Sequence, residues 1–325
     1  MLRLGVIGCG RVTTMFHLRA VRDISEIEVA AVSDIDEKLM REAADRCGAE
    51  AYRDYHELLS DPDIDGVAIN TPPRLHETMV LDALSNGKHV LCEKPLSETV
   101  EGCARIGEAQ DESGLAVLPA HNYAFTPCLT RLTELVESGK VGGVRKLSLS
   151  FMNNLKTYRP QTDFRTTSGD GVLMDVLPHI LSVSKQLAGT AVDVKELRWW
   201  CDDYPVCDNM ETTLVTDRGV DLECSMSWTK LVPSFGVEVH GYDGRLKAEL
   251  MMKPYRVSLE SRGRKKVYND RGLGWYLDLV RFRHPSFRNQ YLHFHRLTSG
   301  LEPPRITVDD EIHILEVVEK ISEIM

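Results

Sequence analysis

At 325 residues the chain exceeds one ordinary hydrophobic core and fits two domains. Its 39 Lys and Arg against 49 Asp and Glu leave a formal charge of −10, which argues against nucleic acid or an anionic membrane as the main partner. No apolar run approaches the roughly 20 residues that cross a bilayer. The start, Met1-Leu2-Arg3, enters a strand at once without a signal-peptide pattern, so the cytoplasm is the expected location.

The first strand runs through Leu4-Gly5-Val6-Ile7 into Gly8-Cys9-Gly10 and then a helical pattern from Arg11 and Val12. Gly8 permits a sharp turn, and Gly10 has no side chain to hold a pyrophosphate away from the backbone. The amides that open the next helix then face the phosphates. The third small position of such loops is Thr13 here. A second strand, Glu28–Ser33, ends in Asp34, and 34 − 10 = 24 places this acid near the usual distance for reading a ribose diol. Together these features predict dinucleotide binding, with NAD favoured over NADP because Asp34 repels a 2′-phosphate. The structural alternative is that Asp34 only caps the following helix.

Helix and strand patterns alternate up to about residue 120. Helices are predicted over 36–47, 73–86 and 97–113, with a helical turn at 55–60. Strands fall at 51–52, 66–70, 89–92 and 115–118. Short apolar runs between amphipathic helices predict a parallel sheet covered on both faces. Ligands of such sheets lie beyond the carboxyl ends of the strands, which points to Asn70-Thr71-Pro72, Glu93-Lys94-Pro95 and His121-Asn122.

Beyond residue 120 the rhythm changes. A helix at 126–138 leads to a strand at 144–153, a basic loop, and a helix at 171–187. Six strands follow between Val192 and Glu260, and helices at 286–297 and 309–324 close the chain. Asp217-Arg218-Gly219 and Tyr242-Asp243-Gly244 carry the turn chemistry of antiparallel strands. The fold class is therefore α/β, with an N-terminal dinucleotide-binding domain (1–120) and a C-terminal α+β domain (121–325) on a largely antiparallel open sheet. The predicted helices are too few to cover both faces of that sheet. Trp199, Trp200, Met226 and Trp228 are candidates for an exposed face that pairs in a homodimer or homotetramer, the domain's own core being their alternative fate. The eight cysteines are scattered without a Cys-x-x-Cys pair, and His293 and His295 point apart on a helix, so no metal is expected.

Four segments converge on one family. Glu93-Lys94-Pro95 follows the fifth strand, and Gly169-Asp170-Gly171 opens a helix carrying Asp175-Val176-Leu177-Pro178-His179. With Gly8-Cys9-Gly10 and the Thr71-Pro72-Pro73…His76 turn, the chain resembles the Gfo/Idh/MocA family of NAD(P)-dependent oxidoreductases over essentially its whole length. It departs from the family pattern at Leu177-Pro178, where a flexible glycine step is usual, and at Ser182, where the family has an acid; a proline at 178 would delay or bend the helix.

The resemblance implies a Rossmann domain, an NAD cofactor and a sugar-like substrate. It implies His179 as proton acceptor, Lys94 as the electrostatic and positioning group, and Asp175 as a supporting or substrate-binding residue. These roles suit the residues: Asp175 and His179 share a helix face, and a fixed ammonium stabilises a developing alkoxide. The cofactor residues expected are Gly8, Gly10, Arg11, Val12, Asp34, Asn70, Thr71, Pro72, His76, Glu93, Lys94, Asn122 and Arg165. Substrate contacts are expected from Lys94, Tyr158, Arg159, Asp175 and His179.

The loop 154–165 holds Lys156, Arg159 and Arg165 against one acid, Asp163, which points to an anionic sugar derivative such as a sugar nucleotide, the alternatives being solvated loop charges and a contact of Arg165 with the cofactor. The expected reaction is hydride transfer between a secondary alcohol and NAD. A redox-neutral epimerase, lyase or hydrolase that passes through a transient ketone, and a non-catalytic NAD-bound sensor, remain open as alternatives.

Overall fold

The computed structural model describes residues 1–158, 171–269, 271, 275, 277 and 283–325, except the side chains of Thr157 and Tyr158. By internal packing the chain forms two compact units. One comprises Met1–Asn122 and Leu277–Ile312, the other Tyr123–Tyr276 and His313–Met325.

In the first unit, among the described residues, six strands form one sheet: β1 (Leu2–Ile7), β2 (Ile27–Ser33), β3 (Glu50–Tyr52), β4 (Gly66–Ile69), β5 (His89–Cys92) and β6 (Val117–Pro119). Their spatial order is β3-β2-β1-β4-β5-β6 and every pairing is parallel. This is the doubly wound order of dinucleotide-binding domains, with its switch point between β1 and β4. All four residues of β4 are buried, as a strand covered on both faces requires.

Local chemistry sets the helix ends. The Asp36 carboxylate accepts from the amides of Lys38 and Leu39 to start helix Glu37–Cys47, and Gly48 (φ +68°) ends it. Asp36 is thus the helix cap, and Asp34 is left for other work.

Helix Pro285–Thr298, counted with the second domain on sequence, packs into the first unit. Phe287 stacks on Phe16 with ring centroids 5.1 Å apart, and the Tyr291 ring meets His17 edge-on at 5.7 Å.

The second unit is built on eight strands among the described residues: β7 (Val144–Asn154), β8 (Ala191–Trp200), β9 (Asn209–Thr216), β10 (Asp221–Ser227), β11 (Thr229–Gly241), β12 (Gly244–Glu249), β13 (Lys253–Ser261) and β14 (Arg264–Asn269). They lie in the order β14-β13-β12-β11-β7-β10-β9-β8, antiparallel except where β7 runs parallel to β10. Helices Pro127–Glu137 and Val172–Ala188 cover one face. Leu147, Leu149 and Phe151 of β7 point into that core, which Ile314, Val317, Val318 and Ile321 of helix Val308–Ile324 help to fill.

Two expectations are corrected. Met226 and Trp228, expected on an exposed sheet face, are each 1% exposed and belong to the core under the helices. The open face is instead polar: Ser148, Ser150, Thr213, Glu223 and Ser225 line a shallow depression of about 670 Å³ there. The alternation along β7 and β10 explains this, because serines and acids occupy the positions between the apolar ones. Strand β14 was not foreseen. Its sequence, Arg264-Lys265-Lys266-Val267-Tyr268-Asn269, has no apolar alternation, and it forms the charged edge of the sheet.

Candidate active site

The glycine turn is held from three sides. The Thr13 hydroxyl donates to the Gly8 carbonyl at 2.6 Å and is fully buried, so threonine at the third small position clamps the turn from within. The Cys9 amide donates to Asp34 Oδ2 at 2.6 Å, and the Asp36 amide donates to Oδ1 at 2.8 Å. Gly8 sits at φ +90°, and a Cβ there would come within 2.9 Å of the Asn70 carbonyl, so both conformation and space demand glycine. At Gly10 a Cβ would meet no atom within 4 Å, leaving that backbone open to approach. Thr13–His17, which follows Arg11 and Val12, is a π-helical turn, a form common at functional sites.

The strand ends beyond this turn carry the other candidates. Both side-chain amide atoms of Asn70 are buried with no hydrogen-bond partner among the described residues. Such atoms call for a polar partner beyond the described residues. His76 is 1% exposed, and its ring nitrogens lie 2.6 Å from the Pro95 carbonyl and 2.8 Å from the Thr71 carbonyl. It therefore ties the Thr71-Pro72 loop to the loop after Lys94. Asn122 donates its amide to the Ser286 hydroxyl at 3.0 Å.

Glu93 faces His17, with Oε1 3.0 Å from Nε2, while His17 Nδ1 lies 2.8 Å from the Tyr291 hydroxyl. Burial alone raises the Glu93 pKa, but the hydrogen bond from His17 and the charges of His17, Lys94 and His76 outweigh it and hold it below the ordinary carboxylate value. The Lys94 amide donates to Glu93 Oε2 at 3.2 Å, and the Lys94–Pro95 bond is cis. An ionised Glu93 thus supports the turn that presents Lys94.

These features fit a dinucleotide: an open glycine backbone, an acid at the end of β2, and an orphaned polar side chain at the end of β4. Gly8, Gly10, Arg11, Val12, Asp34, Asn70 and Thr71 would hold it.

In the second unit, helix Val172–Ala188 begins ahead of Asp175 and continues through Pro178, so Asp175 and His179 lie one turn apart on a single helix. The proline neither delays its start nor ends it, although no amide is available there to bond the Met174 carbonyl. The half-buried His179 ring stacks on Phe151 (6.0 Å, 9°) and meets the Tyr123 ring edge-on (5.2 Å, 89°). Sequence reasoning missed these two aromatics. Their signal was the core alternation of β7 and the position directly after Asn122.

The start of this helix rests on the loop between β8 and β9. The Val172 amide donates to the Cys207 carbonyl at 2.7 Å, with Gly171 at φ +60° against that same carbonyl. The fully buried Asp208 organises the loop. Its carboxylate accepts from the amides of Asp202 (2.9 Å), Asp203 (2.6 Å) and Tyr204 (3.1 Å) and from Asn209 Nδ2 (2.6 Å). Lys156 pairs with Asp203 at 2.7 Å, so its charge is already partnered. Arg159 and Arg165, with the Tyr158 side chain, lie outside the described residues.

A doubly wound parallel sheet and a second, mostly antiparallel sheet whose covering helix carries an Asp/His pair match the architecture that the sequence motifs led one to expect. Residues 2–121 match the model of an oxidoreductase family with an NAD-binding Rossmann fold, and residues 129–247 match the GFO/IDH/MocA C-terminal domain. The chain belongs to the Gfo/Idh/MocA family.

It is 28% identical over 314 residues to a 1-carboxy-3-chloro-3,4-dihydroxycyclo hexa-1,5-diene dehydrogenase of Comamonas testosteroni, covering 93% of this chain and 77% of that protein. It is 27% identical over 322 residues to the myo-inositol 2-dehydrogenase of Thermotoga maritima, covering 95% and 92%. Among solved structures, a 3-ketoreductase from Actinomadura kijaniata in complex with NADP and TDP-benzene superposes with a TM-score of 0.81 at 23% identity, covering 98% of this chain and 96% of that one. Among the described residues, no helix is long and apolar enough to cross a membrane.

Proposed function

We propose that this oxidoreductase moves a hydride between a secondary alcohol of a sugar, cyclitol or sugar derivative and NAD. The observation that carries the reading is His179, half-buried and ring-clamped by Tyr123 and Phe151, one turn from Asp175. Bound NAD supplies the hydride acceptor. His179 takes the hydroxyl proton on a ring nitrogen, and Asp175 orients the imidazole and favours its charged form. Lys94 offsets the negative charge that develops on the substrate oxygen as hydride leaves. The curated relatives, dehydrogenases of ring polyols, support this substrate class. An anionic substrate rests on Arg159 and Arg165, since Lys156 is paired with Asp203.

Asp34 supports NAD over NADP. Each of its oxygens accepts one amide and keeps a lone pair for a ribose hydroxyl, while Asp36 and Glu37 add negative charge against a 2′-phosphate. A panel of polyols and sugar nucleotides, each offered NAD and NADP, is the test. Absorbance should grow at the nicotinamide band, with kcat/KM higher for NAD. A higher value with NADP would refute the cofactor assignment. Turnover without net absorbance change would point to redox-neutral chemistry, and stoichiometric NAD binding without turnover to a sensor.

In this reading the protein works in the cytoplasm as a dimer or tetramer that pairs through the open face of the eight-stranded sheet. That face has no covering helix among the described residues. Light scattering at micromolar concentration should give the mass of two or four chains. A single-chain mass would defeat the assembly.

A further inference from the structure

Helix Val308–Ile324 sends one acid into the interior of the first unit. The Glu311 side chain is 1% exposed, and Oε1 bonds Nε2 of the fully buried His121. Oε2 accepts from the Leu96 amide at 3.2 Å. His121 lies just past β6, Leu96 lies two residues after Lys94, and the two strands concerned are neighbours. One carboxylate therefore ties the loop after β5 to the loop after β6. Burial alone raises the Glu311 pKa, yet the charge and hydrogen bond of His121, the Leu96 amide and the charge of Lys94 together hold it low, so the group stays anionic.

A buried charge of this kind is costly to place and is poorly explained by stability alone, because an apolar pair of similar volume often packs as well. We propose that Glu311 is a positioning residue for Lys94, fixing the chain just past it through Leu96 and setting a buried negative charge within reach of its ammonium. Lys94 is then braced on both sides, by Glu93 at its own amide and by Glu311 at Leu96. The same bond makes His121 a partner of Glu311 rather than a second proton acceptor. The proposal rests on the catalytic role of Lys94 given above.

The experiment is a double-mutant cycle. Glu311→Gln keeps the volume and hydrogen-bonding atoms and removes the charge. It is made in the wild type and in Lys94→Ala, with kcat, KM, NAD affinity and melting temperature measured for each. In the wild type, kcat should fall about tenfold while KM and NAD affinity stay within about twofold. In the Lys94→Ala background the same change should lower kcat less than about twofold, because the group it acts through is gone.

Equal losses in both backgrounds, or no loss in the wild type, would overturn the proposal and leave Glu311 a staple of the fold. Lys94→Ala at full activity would overturn the catalytic reading of Lys94, and this proposal with it. If Glu311→Gln does not fold, Glu311→Asp replaces it in the same cycle. That variant keeps the charge but is one methylene too short to span His121 and Leu96.

Discussion

Lys94→Ala and His179→Ala are expected to lower turnover by a hundredfold or more while NAD affinity stays within a small factor. Removing an electrostatic stabiliser or a proton acceptor typically has an effect on the order of 10² or more on the chemical step. Neither side chain belongs to the glycine turn, Asp34 or Asn70, so the dinucleotide site should survive both changes. The Lys94 turn keeps its amide bond to Glu93 whatever side chain it carries. The His179 change removes one ring from a cluster in which Tyr123, Phe151 and Phe235 still pack on one another. Single-turnover rates with saturating cofactor, beside fluorescence titration with NADH, separate the two effects. Near-normal turnover in His179→Ala, with chemistry limiting, would move proton acceptance to another group.

The second large effect is on stability. Asp208→Ala strands three backbone amides in the loop beneath the Asp175/His179 helix and takes from Asn209 Nδ2 one of its two acceptors, leaving Asp202. A hydrogen bond to a charged group contributes about 1.5–3 kcal/mol, and water can reach part of this loop, so a total loss of about 3 kcal/mol is expected. That is roughly a hundredfold in the folding equilibrium. Trp228 reports on the event, because its amide donates to the Asp208 carbonyl at 2.9 Å. Urea titration followed by tryptophan emission should show an earlier midpoint at unchanged slope. Asp208→Asn, which keeps one acceptor, should lose less. A shift below about 1 kcal/mol would mean that the loop is held elsewhere.

The parallel sheet was legible because its strands are short apolar runs bounded by Gly8, Asp34, Asn70 and Glu93, signals that need no long-range information. The glycine turn, the acid after β2 and the Asp/His spacing could be read for the same reason. What escaped depended on contacts between distant segments. Nothing local in Phe287 or Tyr291 says that their helix packs on the turn after β1, some 270 residues earlier in the chain. Glu311 reads as one more acid in a first helical turn beside Asp309 and Asp310. For Met226 and Trp228 the open face and the core stay equally legible in the sequence, because alternation shows that a strand has two faces but not which one a helix covers.

The division of the first unit between the two ends of the chain bears on how the protein is made. A ribosome that has released the first 122 residues has delivered all six parallel strands and the whole glycine turn. The partners of His17 and Asn122, namely Tyr291 and Ser286, are still unsynthesised, as is Glu311. The nucleotide-binding half begins first but is completed only by residues 277–312, and the last residues, His313–Met325, go to the other unit. Until residues 286–311 emerge, His17, His121 and Asn122 wait without those partners, and all eight strands of the second sheet are synthesised during that interval, their core still lacking Ile314, Val317, Val318 and Ile321.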